Sequence, residues 1–195
     1  MPHHFYESRK KETDNFHRAD TFYTTRLHAL KIERCDYHTS KGKAFQQKDI
    51  DLWLTLENGR VSVSEKKRTR DFDDLYLELY SKYPETPGWA IHSQAAFLAY
   101  FFPERVFWAG FPQIKRFLKE SLLPRINPDE WKKLQETHPE TSTRKRIKQK
   151  VSGITYPVTL IQAYNETQNA TWYTMGISIP FNMLHDNHIR YRIYP

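Results

Sequence analysis

Residues 48–67, KDIDLWLTLENGRVSVSEKK, constrain the fold more than any other stretch of the chain. KDIDLWLTL is a short β-rich run, and VSVSEKK alternates Val with Ser as a strand does. Between them lies ENGR, whose Asn-Gly step is a strong hairpin signal. A three-residue loop Glu57-Asn58-Gly59, with Gly59 left-handed, sets Leu56 against Arg60 and Asp51 against Glu65. Directly opposed residues have Cβ atoms about 5 Å apart.

Two carboxylates that close repel unless a positive charge separates them, and a hard divalent cation would do so. Lys67 follows Glu65 by two residues and so projects from the same face. Two carboxylates and an ammonium suit phosphodiester hydrolysis. A metal there activates the water, and the lysine positions it or steadies charge on the phosphate. A two-residue Asn58-Gly59 turn would instead bring Lys66 opposite Asp51 and part the two acids unless a bulge intervenes. Lys66 is therefore the rival lysine. The spacing D-x13-E-x-K taken alone also describes a solvated surface hairpin.

Around the hairpin the pattern is that of a mixed sheet with flanking helices. Residues 14–34 read as a helix with Phe16, Phe22, Tyr23, Leu27, Leu30 and Ile32 in a stripe, and 35–47 as a loop or irregular strand. DLYLELYS (74–81), AAFLAYFF (95–102) and RVFWAGF (105–111) read as strands, the second buried on both faces. PQIKRFLKESLL (112–123) is a helix with Pro in its first turn. After it come a short helix at 128–136 and three β-leaning stretches from 154 to 195. The expected class is α/β or α+β. The expected organisation is a charged lead-in at 1–13, a core at 14–123, and a basic linker with a β-leaning extension at 124–195.

The 195 residues suit one domain. The 12 Phe, 12 Tyr and 5 Trp are enough to dominate a core, so they do not by themselves indicate base stacking. A net charge of +7 favours a polyanionic partner. The basic run at Arg144, Lys145, Arg146 and Lys148 could grip a phosphate backbone, and Lys66, Arg68 and Arg70 flank the hairpin site. The single cysteine, Cys35, excludes an intrachain disulfide and a Cys-based zinc site. His185 and His188 read as a surface loop, and Lys41-Gly42-Lys43 lacks the spacing of a phosphate-binding loop. A polar N-terminus and no long apolar run point to a cytoplasmic protein without a membrane span.

KDIDLWLT…GRVSVSEKKRTRDFDDLYLELYS, continued by GWAIHSQAAFLAYFFPERVFWAGFPQIKRFLKE, resembles the core of the PD-(D/E)xK, or restriction-endonuclease-like, nuclease superfamily over roughly 14–123. Small phage and bacterial nuclease-like proteins are similar. The resemblance implies Asp51 and Glu65 as ligands of Mg²⁺ or Mn²⁺, Lys67 as the catalytic lysine, and DNA as substrate. It also implies a further acid from the first helix, for which Asp14, Asp20 and Glu33 are candidates, with Glu78 as a supporting group. Two departures stand out. Lys48-Asp49-Ile50-Asp51 has no proline, which makes Asp49 a rival acid, and Ala96 stands where similar sequences often carry an acid. A host-cell cytoplasm is implied if the chain is phage-encoded, and a homodimer is admissible. The alternatives are a fold relative that binds nucleic acid or a protein without cutting, and a basic structural protein of a phage or mobile element.

Overall fold

The computed structural model describes residues 16–36, 38–137 and 140–195. The lead-in at 1–13 and Asp14 lie outside them. The architecture is mixed α+β, with helices and two β-sheets. Helix α1 (residues 16–26) precedes β1 (Lys31–Arg34), α2 (Ser40–Gln46), β2 (Leu52–Leu56), β3 (Gly59–Lys67), β4 (Asp74–Lys82) and β5 (Thr86–Pro87). Then come α3 (Trp89–His92), β6 (Phe97–Phe101), β7 (Val106–Gly110) and α4 (Phe111–Arg116). The chain ends with α5 (Pro128–Thr137), β8 (Thr143–Val151), β9 (Ile154–Glu166), β10 (Thr171–Pro180), α6 (Phe181–Asp186) and β11 (Tyr191–Tyr194).

The first sheet has the order β1-β2-β3-β6-β7-β11, with β3 and β6 parallel and every other pair antiparallel. The second, β5-β4-β10-β9-β8, is antiparallel throughout. Side chains alternate across the first sheet with the two-residue period of a strand. On β6, Ala99 and Phe101 pack with Phe22 and Tyr23 of α1, while Leu98 and Tyr100 pack toward the second sheet. Leu75, Leu77 and Leu79 of β4 meet them there, together with Ile177 and Ile179 of β10. The result is three layers: α1, the first sheet, the second sheet. Strand β6 is buried on both faces, which is why it reads as a continuous apolar run.

Two local expectations change. The first helix stops after residue 26, and Lys31–Arg34 is an edge strand on β2, with Ile32 opposite Leu54. His28, at φ 53°, turns the chain between them. Pairing with β2 outweighs the helical preference of this stretch. Residues 40–46, read as loop or strand, are helical. Thr39 caps them by accepting the Gly42 N–H at 3.0 Å, and a Cβ on Gly42 would sit 1.7 Å from the Asp36 carbonyl. Gly42 is there for close backbone approach, not for a turn.

The stretch 124–195 contributes to both sheets: β10 pairs with β4, and β11 pairs with β7. The basic run is itself a strand, β8, at the edge of the second sheet. Among the described residues no helix is long and apolar enough to cross a membrane.

Candidate active site at the open end of the β2–β3 hairpin

The hairpin forms, but not in the expected register. Leu56 pairs with Gly59, Leu54 with Val61 and Leu52 with Val63, so the loop is Glu57-Asn58 alone. Gly59 keeps a positive φ of 127°. The physical reason is hydrophobic matching. Opposed residues share a face, and this register puts Leu52, Leu54, Val61 and Val63 together under α1. A three-residue loop would have set the leucines against Ser62 and Ser64.

By strict alternation Asp51 would then face away from Glu65. The ladder breaks at that point. The Asp51 N–H donates to the Val63 carbonyl at 2.9 Å, although Val63 already pairs with Leu52, and the Asp51 carbonyl accepts the Cys35 N–H at 2.9 Å. The Asp51 carboxylate then accepts the backbone N–H of Glu65 at 2.7 Å. This bulge-like irregularity re-aims the side chain, as bulges near strand ends do. Asp51, Glu65, Lys66 and Lys67 border one cleft of about 340 Å³, together with Phe16, Arg34 and Cys35.

Alternation separates the two lysines. Glu65 and Lys67 share the face of Val63 and α1, whereas Lys66 shares that of Ser62 and Ser64. Lys67 is exposed, with its ammonium 5.2 Å from the centre of the Phe16 ring. Lys66 is held inside, its Nζ 2.6 Å from Asp49 and 3.6 Å from Asp51, and 5.4 Å from the centre of the Trp89 ring. Asp49 also accepts the Ser64 hydroxyl at 2.6 Å. Its φ of 52° is uncommon for a residue with a side chain. Asp49 is thereby the anchor of Lys66 and Ser64 and is not among the groups that border the cleft.

Glu65 is the most enclosed group there, with 7% of its side chain exposed. Its Oε1 accepts the Tyr23 hydroxyl at 2.8 Å, and its Oε2 accepts Arg34 Nη1 at 2.9 Å. Arg34 reaches Asp20 on α1 at 2.5 Å with its other nitrogen. Burial works against the Arg34 charge, but Glu65 and Asp20 outweigh it and hold the guanidinium protonated. Burial and then the Glu65 carboxylate push the Tyr23 phenol well above its ordinary value, so it remains a donor. Burial, then Asp51, raises the Cys35 thiol, which disfavours a reactive thiolate.

Of the described acids on or near the first helix, Asp20 is tied to the site, through Arg34. Glu33 instead pairs with Lys31 and Arg60. Glu78 lies behind Lys66, and burial raises its carboxyl above the ordinary range. Tyr23 and Arg34 were not legible as site residues. Tyr23 read as a stripe position, and Arg34 fell within an expected helix.

The flanking basic residues divide. Arg68 is ion-paired with Asp74, while Arg70 is exposed. Arg144, Arg146 and Lys148 are exposed on β8, whereas Lys145 faces the other way, 2.6 Å from Glu130. His185 is exposed beside Asp186.

No cluster of three or more His, Cys, Asp or Glu residues among the described ones is arranged to hold a metal. Asp51 and Glu65 are hard oxygen donors, and Mg²⁺ commonly takes only one or two carboxylates, completing its shell with water and phosphate. The pair therefore fits a divalent ion of this kind, provided that Arg34 yields part of its hold on Glu65. Compared with family models, with curated proteins and with solved structures, the chain matches none.

Proposed function

We propose that the chain is a metal-dependent nuclease of the PD-(D/E)xK type, hydrolysing phosphodiester bonds, with DNA as substrate. The observation that carries this reading is the convergence of Asp51, Glu65 and Lys67 on one open cleft, achieved through a break in the β2 ladder. Support for a restriction-endonuclease-like core comes from the order of elements: α1 covers the face bearing Glu65, and β6 lies parallel to β3 beside it. Asp51 and Glu65 would hold Mg²⁺ or Mn²⁺, which would supply Lewis acidity and an activated water. Lys67 would orient that water or steady charge on a phosphate oxygen. Tyr23 fixes the orientation of Glu65 through its hydroxyl. The attacking oxygen bonds to phosphorus as the bond to the leaving sugar oxygen breaks.

One observation favours a second reading, a protein of this fold that binds nucleic acid without cutting. Both oxygens of Glu65 already accept a hydrogen bond, from Tyr23 and Arg34, as those of a retired catalytic acid would. Incubation with linear, circular and branched DNA, with and without Mg²⁺ or Mn²⁺, separates the two. Metal-dependent cutting that disappears in Glu65→Gln and Lys67→Ala supports the nuclease. Salt-sensitive binding without cutting supports the second reading.

A further inference from the structure

Strand β8 has a burial pattern of strict alternation. Arg144, Arg146, Lys148 and Lys150 are exposed, while Lys145, Ile147, Gln149 and Val151 turn inward. Residues two apart on a strand are about 6.7 Å apart, so the four cations form a row about 20 Å long. None of the four is ion-paired among the described residues. Their cross-strand neighbours on β9 are Ile161, Thr159, Pro157 and Thr155, which carry no negative charge. A row of like charges left without partners repels itself, and a polyanion relieves that repulsion.

The row reaches the end of β3, the strand that carries Glu65 and Lys67, through one exposed aromatic side chain. Phe72 is 48% exposed. The Arg144 guanidinium lies 5.8 Å from its ring centre, and the Arg68 guanidinium lies 4.7 Å from it. Arg68 directly follows Lys67. Phe72 and Arg146 also line a cleft of about 250 Å³, at whose base Ser178 is 3% exposed. The Ser178 hydroxyl has no hydrogen-bond partner among the described residues. A buried hydroxyl without a partner is costly unless something else supplies one. Of the acids beside it, Asp74 is paired with Arg68, and Asp73 shares Arg105 with Asp71. At the other end of the path Phe16, 36% exposed, lies against Arg34 and Lys67.

We infer that the outward face of β8 and the Phe72 cleft bind a single strand of nucleic acid, with its phosphates along the four cations and a base against Phe72, and lead it to the Asp51–Glu65 cleft. Cations interleaved with exposed rings suit a single strand, whose bases are open to stacking, whereas a duplex hides its base faces. The inference rests on the nuclease reading only for where the strand leads.

The test is binding of a labelled oligothymidine and of a duplex of equal length, measured by fluorescence anisotropy with EDTA present, so that cutting plays no part. The single strand should bind more tightly. Replacing all four cations by Gln should flatten the plot of log affinity against log salt by about 3, from about 0.7 per phosphate contact. Phe72→Ser should weaken single-strand binding about tenfold and leave the salt slope unchanged. If the fourfold variant does not fold, Lys148→Gln with Lys150→Gln should flatten the slope by about 1.4. Equal or tighter duplex binding, or an unchanged slope in the folded variant, overturns the inference. Binding as expected, with no cutting when Mg²⁺ is restored, would leave it standing and remove only the nuclease reading.

Discussion

Arg34 and Glu65 share two guanidinium–carboxylate contacts, at 2.9 and 3.5 Å, across the face where α1 meets the first sheet. The guanidinium occupies the approach to Glu65 that a divalent ion would use. Arg34→Ala should cost about 2 kcal/mol, below the 3–5 typical of a broken buried pair because a quarter of the arginine side chain is exposed. It should appear as a lower urea midpoint with an unchanged slope. Added Mg²⁺ or Mn²⁺ should then raise the melting temperature of the variant more than that of the parent, since Glu65 is released to the ion. An equal response in both would show that Arg34 and the metal do not compete.

The two adjacent lysines should behave differently. Lys66→Met strands the enclosed Asp49 carboxylate and should destabilise the fold by about 3 kcal/mol. Lys67→Ala removes an exposed side chain and should change stability by less than about 0.5 kcal/mol while abolishing metal-dependent cutting. Paired thermal melts and cleavage assays would distinguish them. Loss of cutting in a folded Lys66 variant alone would assign the chemistry to the wrong lysine here.

Burial raises the Glu78 carboxyl in the folded state. A carboxyl that holds its proton more tightly when folded contributes its stability below the unfolded value, about 4.3, and loses that contribution as pH rises through the folded value. Glu78→Gln should therefore flatten the fall in urea midpoint from about pH 4 upward, and should be neutral to slightly stabilising at pH 7. The amide oxygen can still accept the Trp89 N–H that the carboxylate accepts now. A variant as steeply pH-dependent as the parent would place the titration elsewhere.

Gly42→Ala sets two effects against each other. Alanine improves helix propensity by about 1 kcal/mol. The new Cβ would stand 1.7 Å from the Asp36 carbonyl, and relieving that overlap means moving backbone where the chain enters α2. The clash should win by about 1–2 kcal/mol, lowering the melting temperature by roughly 2–8 °C in a chain of this size. A higher melting temperature would show that α2 can shift freely away from Asp36.

Most strands were legible because their periodicity is local. Leu75, Leu77 and Leu79 mark one face of β4, and β6 reads as buried on both sides. The hairpin register was also within reach, since matching Leu52 and Leu54 to Val63 and Val61 selects it without reference to any function. Choosing the register that joined the acids missed it. What sequence could not supply was the break at Asp51, whose carbonyl accepts the N–H of Cys35, the residue that follows a strand which read as helix. Arg34 was hidden for the same reason. The layering of two sheets was hidden too, because β4 and β10 are joined by nothing in their local patterns.

That last pairing bears on how the protein emerges from a ribosome. The hairpin and its parallel neighbour β6 are complete once residue 101 has been made, so the floor of the cleft can assemble early. Strand β4 must wait for β10, which ends at residue 180, and β7 waits for β11, which ends at residue 194. Until then one edge of β4 is unpaired, and Leu75, Leu77 and Leu79 lack Ile177 and Ile179 beside them in the same sheet. Such distant pairing slows folding, and it leaves an unfinished strand edge open to neighbouring chains until β10 has been made.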